Sequence, residues 1–394
     1  MGKEIKGIKG FKFAARAAGI KKPGKLDLAL IYSEVPARCA GVFTANKVVA
    51  APVVVTAPRI KGGTCQAVLV NSGNANACTG EQGLKDALRC GELAARVLGV
   101  SEDVVAVSST GVIGAPLPME RLEKHVPLLA GMLEAGGAKG VAEAIMTTDS
   151  FAKLSDSRGS DYSILGLAKG AGMIHPDMAT MLGFALTDAR VEEKFLGEAL
   201  RRCVDRSFNS ITVDGDTSTN DMVLLLANGM AGGPEICGGT AAAEDFEKRL
   251  GAVLLDLAKM IVRDGEGATK LVTIQIRGAA SAVQARQAAR SVATSSLVKT
   301  AFFGEDANWG RIIAAVGYSG ADVDPDRVDI RFGDVPVARQ GLGTGKELEE
   351  QATRVLQQAE FTVTVDLNLG DGEAAYYTSD LTYDYIKINA DYRT

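Results

Sequence analysis

Histidine is nearly absent, with only His125 and His175 in 394 residues, so no multi-histidine metal site can be built. The H-E-x-x-H and G-x-S-x-G patterns are missing too, which removes the common zinc-hydrolase and serine-hydrolase signatures. The six cysteines, Cys39, Cys65, Cys78, Cys90, Cys203 and Cys237, form no C-x-x-C pair and are sparse. They argue against a disulfide framework or a zinc site and read as reduced, mostly buried thiols. No apolar run approaches the roughly 18 residues of a membrane helix; the best, 48–57, is short and broken by Pro52. The basic first 22 residues lack an apolar h-region, so the expected location is the cytoplasm. The net charge of −5 offers no summed positive field for a phosphate backbone, so nucleic acid is not an expected partner.

What is present describes a globular α/β protein with 46% hydrophobic residues and only 5% aromatics, hence a core of Ala, Val, Leu and Ile. Strand-like runs at 26–32, 67–70 and 104–107 alternate with helical patterns at 81–98, 118–133, 192–205 and 243–262. Thr79 and Gln82 have capping-box spacing before the first helix, and Gly99 closes it. Further helices are expected at 283–293 and 308–316, and the part from about 280 to 394 reads as a smaller C-terminal domain. Strands at 360–369 and 373–378 around Gly370-Asp371-Gly372 predict a hairpin.

Phosphate and calcium motifs fail on inspection. In the glycine-rich run 341–346, Gln340 replaces the first glycine of a Walker loop and Glu347 its Ser/Thr, which leaves a loop before a helix. The acidic run 214–221 has Thr219 and Leu225 where a calcium loop needs its glycine and its glutamate. It reads equally as a capped turn or as a polar wall of an active site. His125 sits in an amphipathic helical run where a solvated or half-buried position explains it. His175 lies in the irregular segment 169–182.

Three segments concentrate small and hydroxyl residues. Thr110-Gly111 follows a strand, where a hydroxyl and a backbone N–H can converge as an oxyanion hole or form an ordinary glycine turn. Thr147-Thr148-Asp149 ends a helix, and capping accounts for it by default. In 169–182, Thr180 stands just past a loop broken by Pro176. If the chain were cut before Thr180, the new α-amine could act as the base that a histidine-poor chain otherwise lacks.

With these residues in place, the chain resembles the glutamate N-acetyltransferase (ornithine acetyltransferase) family of arginine biosynthesis along essentially its whole length. The matching motifs include Phe43-Thr44-Ala45-Asn46, Asn71-Ser72-Gly73-Asn74-Ala75-Asn76, Ser109-Thr110-Gly111-Val112-Ile113-Gly114, Thr147-Thr148-Asp149 and Lys169-Gly170-Ala171-Gly172-Met173-Ile174. Met178-Ala179-Thr180-Met181-Leu182, the run 213–221, Gly265-Glu266-Gly267-Ala268-Thr269-Lys270 and Asn308-Trp309-Gly310-Arg311 complete them.

The resemblance implies stacked sheets flanked by helices in an N-terminal-nucleophile-like fold. It also implies self-cleavage between Ala179 and Thr180 into an α chain (1–179) and a β chain (180–394), and an α2β2 heterotetramer. Thr180 would carry acetyl from N2-acetylornithine to glutamate, with Thr110 and Gly111 as the oxyanion hole. Thr147, Lys169, Glu266, Asn389 and Thr394 match substrate-binding positions. No cofactor or metal is implied, although some members take acetyl-CoA as donor. The same hardware would serve a self-processing hydrolase, and a non-catalytic binding protein would keep an uncut chain.

Overall fold

A computed structural model describes residues 7–175 and 181–391. In chain order its elements are β1 (Phe11–Arg16), β2 (Leu28–Phe43), α1 (Ala51–Lys61), β3 (Thr64–Asn74), α2 (Gly80–Leu98), β4 (Val105–Val112), α3 (Met119–Ala130) and α4 (Ala138–Ile145). Next come β5 (Lys153–Arg158), β6 (Ser163–Lys169), β7 (Leu182–Thr187), α5 (Glu193–Asp205), β8 (Ile211–Thr212), β9 (Met222–Ala227), α6 (Ala241–Arg263) and β10 (Leu271–Ala279). The chain ends with α7 (Ala282–Thr294), α8 (Ser296–Phe303), α9 (Trp309–Gly317), β11 (Asp329–Phe332), β12 (Val335–Arg339), β13 (Leu342–Gly343), α10 (Lys346–Leu356), β14 (Glu360–Asp366), β15 (Gly372–Ser379) and α11 (Tyr383–Ala390). The described residues form two compact units, one of residues 7–170, 181–209 and 216–261, the other of 171–175, 210–215 and 262–391. The α/β class with two helix-flanked sheets is as expected.

The first unit holds one sheet in the order β4-β3-β2-β9-β7-β6-β5, with β1 paired to β2. Its inner strands β7 and β9 read as unbroken apolar runs because both faces are covered. In β2, Leu28 and Leu30 enter a cluster with Ala87, Leu93 and Ala94 of α2, while Ala29 and Ile31 point the other way into a cluster with Val141 and Ile145 of α4. Each fully buried Leu or Ile contributes roughly 1.5–3 kcal/mol.

The second unit's sheet runs β13-β12-β11-β14-β10-β15-β8 and is apolar on one face only. Val272, Ile274 and Ile276 alternate with Thr273, Gln275 and Arg277, and the apolar set packs on Ala285, Ala289 and Val292 of α7. Here the expected hairpin is overturned. The strands β14 and β15 do not pair with each other, because β10 lies between them, parallel to β14 and antiparallel to β15. The connecting loop wraps over the end of β10, with N–H groups of Leu367 and Leu369 donating to Arg277 and Gly278, and its left-handed residue is Asn368, not the Asp-Gly pair.

Two smaller expectations also change. Thr79 does not cap α2; its hydroxyl donates to Asn76 Oδ1 at 2.7 Å, and Gln82 bonds Asp86 instead of closing a capping box. Gly99 does end α2 in the left-handed conformation. The strand expected at 104–107 runs on through Val112, so Thr110 and Gly111 lie within β4, not in a turn. Of the cysteines, Cys39, Cys65, Cys90 and Cys203 are buried and Cys78 is exposed. No described helix is long and apolar enough to cross a membrane.

Candidate active site

The Thr110–Gly111 end of β4 is held by a lattice of asparagines in the first unit. Ser109 Oγ donates to Asn71 Oδ1 at 2.5 Å, Asn71 Nδ2 to the Asn74 carbonyl at 2.9 Å, and Asn74 Nδ2 to the carbonyls of Ala115 and Pro116 at 3.0 Å. Asn220 Nδ2 reaches both the Ala75 carbonyl at 2.6 Å and the Ser109 carbonyl at 2.9 Å. These bonds satisfy backbone groups at the ends of β3 and β4 and in the adjoining loops, which is why asparagine, with both a donor and an acceptor, recurs in 71–76 and at 220. Gly111 has φ +134, and a Cβ there would sit 2.3 Å from the Gly73 carbonyl carbon, so only glycine fits.

The second constellation of that unit surrounds Asp149. Lys169, at the end of β6, places Nζ 3.2 Å from Thr147 Oγ1, so two of the expected substrate contacts meet. Asp149 binds the backbone on both sides of that contact, accepting from the Thr147 N–H at 2.8 Å and the Gly170 N–H at 2.7 Å. It also accepts from Lys153 Nζ at 2.7 Å, with both side chains fully buried. Burial pushes the Asp149 carboxyl up, but Lys153, Lys169 and the hydrogen bonds outweigh it and hold the group at about 2. Lys21 joins the cluster, its ammonium donating to the carbonyls of Leu26, Ala144 and Met146. Burial lowers it to about 8, against the pull of Asp27 and Asp149.

Asp221 closes this side. It is 2% exposed, and burial drives its carboxyl well above the usual range despite Lys169, the Ser218 hydroxyl and the N–H groups of Met181 and Ser218. Its Oδ2 has no hydrogen-bond partner among the described residues. The run 214–221 caps at one end and is buried at the other. Asp214 caps, accepting from the N–H groups of Met173 and Ile174 at 2.6 and 2.8 Å, while Asn220 and Asp221 build interior walls.

In the second unit Glu266, 8% exposed, accepts from Asn389 Nδ2 at 2.9 Å, which joins two more expected binding residues. The Glu266 N–H donates to the Ala171 carbonyl at 2.9 Å. A Cβ on Gly172 would lie 2.5 Å from the Glu266 carboxylate carbon. Helix α11, which carries Asn389, is capped by Thr382, whose hydroxyl also donates to the Gly267 carbonyl at 2.8 Å. His175 is buried, with Nδ1 3.2 Å from Thr212 Oγ1 and Nε2 2.6 Å from Arg290. Ala179, Thr180 and Thr394 lie outside the described residues.

Sequence reasoning missed Lys21 and Lys153, and singled out Asn220 and Asp221 only as part of the run 214–221. Asp221 borders the apolar strand β9, and a charge at such a place is the one signal that could have singled it out; Lys153 opens the polar strand β5, where nothing in the sequence marks it. No cluster of three or more His, Cys, Asp or Glu capable of holding a metal occurs among the described residues.

The ArgJ family profile matches residues 12–394. The arginine biosynthesis bifunctional protein ArgJ of Syntrophotalea carbinolica is 67% identical over 390 residues, covering 98% of this chain and 99% of that protein. The protein of the same name from Geobacter sulfurreducens is 57% identical over 391 residues, covering 98% and 100%. A crystal structure of the Bacillus halodurans ArgJ protein, 45% identical, superposes with a TM-score of 0.52 over 54% of this chain and 99% of its own. With a family profile spanning all but its first residues and relatives this similar over their full lengths, the chain belongs to the ArgJ family of acyltransferases.

Proposed function

We propose that the enzyme moves an acetyl group from N2-acetyl-L-ornithine to L-glutamate through an acetyl ester on Thr180, after cutting itself between Ala179 and Thr180. The observation that carries this reading is the Lys169–Thr147 contact, a cation beside a hydroxyl as a carboxylate-bearing amino acid requires. The Asn389-bonded Glu266 carboxylate complements the side-chain ammonium of ornithine.

In the first half-reaction the Thr180 hydroxyl attacks the acetyl carbon and passes its proton to the Thr180 α-amine. The Thr110 hydroxyl and Gly111 N–H take the oxyanion. The carbon–nitrogen bond then breaks, the α-amine returns the proton to the leaving amine, and ornithine departs. Glutamate's amine repeats the sequence on the ester, giving N-acetylglutamate and restoring the hydroxyl. In maturation the same hydroxyl attacks the Ala179 carbonyl, the Ala179–Thr180 carbon–nitrogen bond breaks to free the protonated Thr180 α-amine, and water hydrolyses the resulting ester to the Ala179 carboxylate and the Thr180 hydroxyl. No cofactor enters. Acetyl-CoA is the alternative donor, and an α2β2 assembly in the cytoplasm accompanies this reading.

The test is intact mass under denaturing conditions, followed by incubation with acetylornithine and glutamate. Two fragments, the second starting at Thr180, and N-acetylglutamate in excess of free acetate are expected. Free acetate as the main product makes the protein a hydrolase, and a single uncut chain in active protein removes the α-amine base. Thr180→Ala stays uncut and inactive, whereas Thr180→Ser keeps part of both activities. Replacing acetylornithine by acetyl-CoA reads the second donor, and native mass reads the assembly.

A further inference from the structure

Residues 146–152 belong to no helix or strand, yet they carry Thr147. Their position is set by one carboxylate. Asp149 Oδ2 takes the Thr147 N–H, and Oδ1 takes the Gly170 N–H next to Lys169, so the two residues that meet at 3.2 Å are tied to a common point. The same Oδ1 takes the Lys153 ammonium, in a pair with no exposed side-chain surface.

A fully buried ion pair is a poor device for stability, because desolvation consumes the attraction and an apolar pair of similar volume is often as good. Its charge arrangement here has a different consequence. Lys21 and Lys169 both feel Asp149, and Lys169 also feels Asp221, which burial holds toward its neutral form. With the Asp149 charge matched by Lys153, the surroundings of Lys169 stay net positive.

We propose that Asp149 and Lys153 are positioning residues for the substrate carboxylate, setting the spacing of Thr147 and Lys169 and sharing the Asp149 charge between Lys153 and Lys169 so that Lys169 does not bear it alone. The identity of the substrate rests on the acetyl-transfer reading. The pair touches no reacting atom; it acts through the two residues that do. Because donor and acceptor each present a carboxylate in turn, its effect falls on both KM values together.

The test is initial-rate kinetics on the full-length, self-processed enzyme, with acetylornithine and glutamate varied. Lys153→Met leaves Asp149 unmatched beside Lys169, so both KM values are expected to rise by about tenfold or more, with a smaller fall in kcat. The double variant Asp149→Asn with Lys153→Met restores charge balance but sets an amide N–H against one of the two backbone N–H groups, so its KM values are expected to lie between those of wild type and Lys153→Met. KM values of Lys153→Met at the wild-type level, or a loss confined to kcat at unchanged KM, overturn the proposal. If Lys153→Met does not fold, the double variant is compared with wild type: a rise in both KM values supports the positioning role, and unchanged KM values overturn it. Wild type run alongside separates the two readings. If it transfers no acetyl, the substrate assignment falls, and the pair is read instead through the melting-temperature rise on adding glutamate. The same ordering of variants is expected there, and an equal rise in all of them overturns the proposal.

Discussion

Asn220 Nδ2 donates to the carbonyl of Ser109 at 2.9 Å and so ties the loop entering β9 to the residue before Thr110. The loop's next residue, Asp221, faces Lys169. The strand end that carries the Thr-Gly pair and the surroundings of the Lys169 ammonium are therefore joined through two consecutive side chains of the first unit.

Removing that tie should be felt in both stability and turnover. Asn220→Ala leaves the Ala75 and Ser109 carbonyls without their donor, at a cost of about 1–3 kcal/mol. Asn220→Asp should be at least as damaging, because a carboxylate oxygen would face two carbonyls. Thermal melts together with kcat check this, and a variant with wild-type values in both would show that the lattice is dispensable.

Thr110→Ala should lower kcat by roughly 10²–10³ with little change in melting temperature, as expected for loss of one oxyanion donor. Gly111→Ala differs in kind, since its methyl group would collide with the Gly73 backbone and force β3 and β4 apart. That variant should melt lower and lose activity. Wild-type melting in Gly111→Ala would contradict the close approach.

Gly172→Ala tests the Glu266 carboxylate. Its new Cβ would lie 2.5 Å from the carboxylate carbon, so Glu266 must move away from Asn389. The expected outcome is a raised KM for acetylornithine. An unchanged KM would mean that the Glu266–Asn389 bond does not serve substrate.

A lysine supplies the pH prediction. Lys299 of α8 is fully buried, its ammonium donating to Thr378 Oγ1 at 3.0 Å and Ser379 Oγ at 3.1 Å. Burial lowers it to about 7, only partly opposed by Asp380 and Asp214. Unfolded, it titrates near 10.5, so between about pH 7 and 10.5 the unfolded chain holds more protons at this site than the folded one. Its contribution to stability therefore rises with pH across that window, by up to about 1.4 kcal/mol per unit, and the full burial penalty is present below it. Melting temperatures of wild type and Lys299→Met from pH 6 to 9.5 read the effect. The wild-type value should gain on the variant as pH rises, and a constant difference would refute it.

The helices were legible nearly to the residue where periodicity was strong, as in α2, α5 and α6. Thr147, Lys169, Glu266 and Asn389 were named through the family resemblance, but not their pairing across 22 and 123 residues. Nor were their supports. Lys153 and Asp221 look like ordinary strand-flanking charges until burial is known, and Asn220 gains its meaning only when Ser109 and Ala75 arrive beside it.

What the sequence by itself determined is local and periodic: the α/β class, the helix faces, the small-residue motifs and the family they resemble. Each follows from interactions within a few residues along the chain or from the side-chain pattern one element must bury. Tertiary structure alone decided that β10 would separate β14 from β15. Parallel pairing to β14 and antiparallel pairing to β15 each bury the same apolar face on α7, and no turn residue encodes which neighbour a strand takes. It also decided the electrostatics around Lys169. Lys169 acts on both carboxyls, but Asp149, held at about 2, also has the buried Lys153 ammonium paired with it, while burial pushes Asp221 well above the usual range, and that is a property of the assembled core.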